Sequence, residues 1–168
     1  MQVQQSVWEE QEVKKYHINI IFQTNRYLYM TLKNIIELLK TIALSKPTIR
    51  YVGDGNVFDL NSVPDLKYGV FYITQQGSDI YENQEYHKLT LFFIDRLTDE
   101  ADNKLQIQSN GQREISNIVN TLMDMEDVYV NYPLSFTSFN QRFADDCAGV
   151  FSTITFITDR EMGNCYYE

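Results

Sequence analysis

Cysteine is almost absent from this chain: among 168 residues there are two, Cys147 and Cys165. They form no CxxC pair and no framework of the kind that staples small secreted domains, so both are read as free thiols. No hydrophobic run approaches the length of a bilayer span, and the opening "MQVQQSVWEEQEVKK" has neither the basic start nor the apolar middle of a signal peptide. Together these absences predict a protein made and kept in a cytoplasm, with no membrane partner. Positive charge is also scarce, with 14 Lys and Arg against 23 Asp and Glu and a formal net charge of −9. Holding phosphates needs clustered Lys and Arg, so a nucleic-acid-binding surface is not expected. The acidic balance is compatible with solubility alone, and with a wall past which duplex DNA slides without sticking.

The signatures of chemistry are missing as well. "GDGN" at 53–56 lacks the lysine of a phosphate loop and the GxGxxG spacing, so it reads as a turn; neither GxSxG nor HExxH occurs. Asp99, Glu100 and Asp102 lack the glycine and distant glutamate of a calcium loop and read as a solvated loop. His17 and His87 stand far apart, and nothing near them or the two cysteines supports a Cys-His nucleophile pair. Asp95 and Arg96, where "LFFIDRLTDE" turns from apolar to charged, are adjacent on a strand and point to opposite faces, so they cannot pair directly. No cofactor and no metal is expected, and the chain is not expected to be an enzyme.

What the chain has in quantity is aromatic side chains, 12 Tyr and 10 Phe. Such residues pack well on a pleated sheet, and tyrosine in particular suits a surface that becomes buried against a partner. From Asn25 the apolar residues Leu28, Leu32, Ile35, Leu39 and Ile42 recur at helical spacing, predicting a helix over 25–45 that stops before Pro47. A turn-rich link follows, with a short strand expected at 56–60. "YGVFYIT" (68–74) and "HKLTLFFIDRL" (87–97) read as an antiparallel pair joined by "QQGSDIYENQEY", its arms or tip extending beyond the core. The second of these has apolar residues on both faces, so it should be central.

Ser109 and Gln112 make a capping-box pattern ahead of an apolar face of Ile115, Ile118, Val119, Leu122 and Met125. Burial of that face is worth on the order of 7–15 kcal/mol before entropy is subtracted, so this second helix should dock on the sheet. "VYVNYPLSFTSF" and "AGVFSTITFITD" read as two further strands joined by a polar connection, with Pro133 confining the first to an edge or bulge. The order helix, strands, helix, strands predicts an α+β fold: a largely antiparallel sheet with two amphipathic helices packed on one face. The expected organisation is an N-terminal arm over 1–24, a single domain over 25–160 and a C-terminal tail over 161–168.

In series, "KYGVFYIT", "HKLTLFFIDRLTDE", "SNGQREISNIVNTLMDM" and "YPLSFTSFNQRFADDCAGVFSTITFITD" resemble the neck and tail-completion proteins of tailed bacteriophages, the tail-terminator group, and in particular those of crAss-like phages of Bacteroidales. The resemblance covers roughly residues 60–160. It departs from the simpler terminator pattern in a longer N-terminal lead and the short aromatic tail "CYYE", so a terminator proper and another ring of the connector both stay open.

The resemblance implies a tail-terminator-like fold and a structural virion protein of the neck or tail, assembled in the host cytoplasm. Such proteins form homo-oligomeric rings of sixfold or twelvefold symmetry between portal or adaptor and tail proteins, and genomic DNA passes through without specific binding. Neighbouring sheets meet around the ring, and loops and termini reach the rings above and below. The interface residues assigned on this basis are Gly77, Asp79, Tyr81 and Glu85 in the hairpin, Asp95, Arg96 and Asp99 at the end of the central strand, Phe139 and Phe143, and Tyr166 and Tyr167 in the tail. The alternative from another class is an acidic DNA mimic that inhibits a host nuclease, but Lys14, Lys33, Lys67, Lys104, Arg113 and Arg142 interrupt its field. A small hydrolase would need a polar pocket with a perturbed pKa.

Overall fold

Thr31 sets where the first helix begins. Its backbone is extended (φ −82°, ψ 161°) and its side-chain oxygen accepts from the N–H of Asn34 at 3.3 Å, so helix α1 runs Leu32–Leu44 and not from Asn25 as the apolar stripe predicts. The stripe in the sequence runs on past the cap, and periodicity alone cannot see a cap. This computed structural model describes residues 30–98, 103–124, 128–142 and 146–159, so the N-terminal arm, Leu28 and the C-terminal tail lie outside the described residues. Ile35, Leu39, Ile42 and Ala43 form the buried face of α1.

Strand β1 (Tyr51–Asp54) pairs parallel with the start of β2 (Val70–Tyr81). The strand expected at 56–60 is instead a 3-10 helix, Val57–Ser62. Its cause is Asn56, whose side chain accepts from Phe58 N–H at 3.1 Å and whose carbonyl accepts from Asp59 N–H at 2.9 Å, local bonds that turn the chain. Gly69, at φ +85°, lets the chain enter β2 where a side chain would meet the carbonyl oxygen of Thr48.

β2 and β3 (Gln84–Arg96) form the expected antiparallel hairpin, but both strands continue through "QQGSDIYENQEY" to a two-residue turn at 82–83. Glu82 takes the positive φ (54°) that such a turn requires at its first position. A bulge between Gln75 and Gly77 divides the hairpin into a core half and an arm.

Helix α2 is Lys104–Met123 and begins five residues before the predicted capping box, so Ser109 lies inside it. Asn103 fixes the start by reaching back to β3's end: its amide donates to the Arg96 carbonyl and accepts from Thr98 N–H, both at 3.3 Å. Ile115, Ile118, Val119 and Leu122 are buried as expected, with Ile107 added; Met125 lies outside the described residues.

The expected strand over 128–139 is two, β4 (Tyr129–Val130) and β5 (Thr137–Arg142), separated by Pro133, whose missing N–H interrupts the pairing. β6 (Asp146–Asp159) begins within the segment expected as a polar connection, because β5 turns directly onto it. The six-stranded sheet has the order β1-β2-β3-β6-β4, with β5 also on β6, and only the β1–β2 pair is parallel. The fold class is the expected α+β. β3 is central, between β2 and β6.

The sheet has two faces with different covers. Leu89, Leu91 and Phe93 of β3, with Ala148, Val150, Ile154 and Phe156 of β6, pack under both helices in the main core. Each such buried Leu, Ile, Val or Phe side chain contributes roughly 1.5–3 kcal/mol relative to exposure. α2 comes close because Gly111 faces the sheet, where an added Cβ would lie 2.7 Å from Val150 Cγ2 and 2.9 Å from Phe93 Cδ1. On the opposite face, Leu60 of the 3-10 helix seals a second cluster of Val70, Tyr72, Ile94 and Cys147.

Candidate interaction surface

The arm beyond the bulge presents apolar side chains to solvent, as do Leu44, Phe58, Leu105, Tyr129 and Tyr132 elsewhere on the surface. Ile80 and Tyr81, next to the turn, are 58% and 65% exposed. They lie on opposite faces, Ile80 paired with Glu85 and Tyr81 with Gln84. Asp79 is exposed and opposite Tyr86, and Gly77 stands in the bulge.

The backbone of the arm is open as well. β1 accompanies β2 only as far as Ile73, so from Thr74 to Tyr81 no described strand lies on the outer side of β2. On the far edge of the sheet, β5 likewise has no described strand outside it. Both stretches leave backbone N–H and C=O groups unpaired by the ladder among the described residues.

One polar constellation stiffens the arm from within. His87 is 3% exposed, and its Nδ1 shares a hydrogen bond with Ser78 Oγ, directly across the ladder, at 2.9 Å. Its Nε2 lies 3.4 Å from Glu85 Oε2, close enough for electrostatic attraction but without hydrogen-bond alignment, so that nitrogen remains an unpartnered buried atom. Burial pushes the imidazole pKa below its ordinary value and the Glu85 carboxylate offsets this in part. Ser78 and His87 meet on one face only because the bulge adds a residue to β2.

At the opposite end of the hairpin, Asp95 is half-buried and accepts from the Arg96 N–H at 2.8 Å, while Arg96 is exposed and paired in the ladder with Cys147. The two side chains do not form an ion pair with each other; they mark the strand's exit. Phe139 is half-buried within the subunit: its ring lies over Gly149 and meets Phe92 at 6.3 Å and Phe151 at 6.2 Å between centroids. Asp99, Phe143, Tyr166 and Tyr167 lie outside the described residues. The structure thus brings Gly77, Asp79, Tyr81 and Glu85 together on one arm, sets Asp95 and Arg96 at the other end, and places Phe139 in the second cluster.

Ile80 was not singled out by sequence reasoning. Its signal is an apolar residue beside the turn in an otherwise polar connection, visible only once that connection is known to be strand. Near β1, Lys40 pairs with Asp54 and Glu37, whose hydrogen bonds raise its pKa. Tyr72 donates to the Asp54 carbonyl at 3.1 Å, and burial raises its pKa. These contacts fix the glycine turn after β1.

Among the described residues no group of three or more His, Cys, Asp or Glu is placed to hold a metal ion, and no helix is long and apolar enough to cross a membrane. No family model matches the chain, and no curated protein is similar to it.

Proposed function

We propose that the protein is a structural subunit of a homo-oligomeric ring in the portal-to-tail connector of a tailed bacteriophage, a neck or tail-terminator component with a channel for the genome. The observation that carries the reading is the arm of β2 and β3, held on β6 at residues 155–159, with Ile80 and Tyr81 exposed on its two faces. Apolar groups on both faces of its tip suit insertion between neighbours. The α+β architecture and the likeness of residues 60–160 to tail-completion proteins support the same reading.

In a ring each subunit offers two different surfaces, so no self-complementary patch is needed. A stable contact buries roughly 1,200–2,000 Å² in total, and an arm with aromatic anchors supplies such area from a small domain. Sixfold or twelvefold closure would set portal or adaptor and tail proteins above and below the ring. The net charge of −9 would repel passing DNA phosphates and keep the genome moving.

The test is quantitative mass spectrometry of purified particles from the source, counting this chain against the portal. A fixed ratio near one or near one half is expected. Absence from particles, with abundant protein in the infected cell, would overturn the reading.

A further inference from the structure

We infer that the ring subunits join by continuing the sheet: the open edge of β2, Thr74–Tyr81, takes the outer edge of β5, Thr137–Arg142, from a second copy. This deepens the ring reading and rests on it for the identity of the neighbour.

Three observations converge. β2 runs on for eight residues after its partner β1 stops at Asp54 opposite Ile73. Its open segment, "TQQGSDIY", contains neither lysine nor proline, the residues that most often protect such an edge, and has one acid, Asp79. The bulge at Gln75/Gly77 interrupts this edge near its start, and the run beyond it, Gly77–Tyr81, still presents a row of backbone donors and acceptors that only an extended strand satisfies.

Among the described residues the sheet has a second open edge, on β5, at its opposite side. β5 is also free of lysine and proline, "TSFNQR", and Ser138 and Asn140 are exposed.

Strand direction then decides how the two edges meet. From β2 across β3 and β6 to β5 every neighbour is antiparallel, so β2 and β5 run in opposite directions. A second copy in the same orientation therefore presents β5 antiparallel to β2, the stronger pairing, and the alternation continues through the junction. The contact joins two different edges, so it repeats from copy to copy. The arm and β5 lie at opposite ends of β6, β5 facing residues 146–151 while the arm's level is 155–159, so successive copies are offset along the strand direction. That offset tilts the strands relative to the ring axis, as closure of any sheet requires.

The experiment uses the full chain and two variants with charge at one edge each, Gln75→Lys/Ile80→Lys on the β2 side and Ser138→Lys/Asn140→Lys on the β5 side. All four positions are exposed, and circular dichroism with urea melts verifies folding of each variant. In sedimentation the wild type is expected to associate at concentrations up to about 1 mM, the range of even weak contacts. Each variant alone should remain at the 19.8 kDa monomer. Mixed one to one, they retain a single intact junction and should form a dimer that grows no further. Hydrogen exchange at the amides of 74–81 should be at least tenfold slower in the wild-type assembly than in either variant.

A wild type that stays monomeric, a variant that still associates, a mixture without dimer, or exchange at 74–81 unchanged by assembly would each overturn sheet continuation. Particle mass spectrometry answers separately: a ring with unchanged exchange rejects this junction and keeps the connector, whereas edge pairing by a chain absent from particles does the reverse.

Discussion

Replacing Gly111 by alanine should destabilise the protein, although the same change in an exposed helix would stabilise it. Alanine is favoured over glycine by about 1 kcal/mol in a helix interior. At this position the new methyl would lie 2.7 Å from Val150 Cγ2, 2.9 Å from Phe93 Cδ1 and 3.1 Å from Phe93 Cβ. Both neighbours belong to the paired strands β3 and β6 and face each other in the ladder, so neither backbone retreats easily. Pushing α2 off the sheet costs roughly 1–3 kcal/mol as overpacking, so after the propensity gain the net expectation is about 0–2 kcal/mol of lost stability. With a urea slope of roughly 2 kcal/mol/M, the midpoint should fall by up to about 1 M. Val150→Ala removes the atom that is struck first, so in a double-mutant cycle the pair should be less damaging than the sum by about 1 kcal/mol. A higher midpoint for Gly111→Ala, or additivity within about 0.3 kcal/mol, would refute this account of how closely helix and sheet approach.

His87 makes stability depend on pH. Its folded pKa lies below the unperturbed 6.5, chiefly through burial, so the unfolded state binds the proton more readily. Its contribution is whole above 6.5 and is lost as pH falls through the folded value; urea midpoints measured down that range should drop, and His87→Gln should flatten the dependence, whereas an unchanged slope would count against the burial of the ring. Cys147 is fully buried in the second cluster. In a Cys165→Ser background a thiol reagent should therefore label the native protein far more slowly than the urea-unfolded chain, and equal rates would contradict that packing.

The sequence made the layers legible because the helix face and the central strand are long periodic patterns. Ile115, Ile118, Val119 and Leu122 at helical spacing, and apolar residues on both faces of 89–94, sit where those patterns put them. What periodicity could not show were features made by single polar residues. Thr31 and Asn103 moved both helix starts, Asn56 turned an apolar stretch into a 3-10 helix, and Pro133 split a strand. The arm was the most opaque. "QQGSDIYENQEY" carries the polar composition of a loop, and the bulge interrupts the alternation that would have marked it as strand: plain counting from Phe71 and Ile73 assigns Tyr81 to the helix side, where Ile80 in fact lies. The aromatic excess pointed to either core or interface, and among the described residues Phe139 packs on Gly149 while Tyr81 stands exposed at the turn.

β6 touches β3 on one side and both β4 and β5 on the other, yet it is the last described strand to leave the ribosome. Until it arrives, the hairpin of β2 and β3 exists with Leu89, Leu91 and Phe93 lacking the neighbour that completes their layer, an interval of several seconds at ordinary rates of about 5–20 residues per second. The core therefore closes only once β6 has been translated, not progressively. Chains terminated before Asp146 lack the strand that joins the two halves of the sheet, so nonsense products should go to proteolysis.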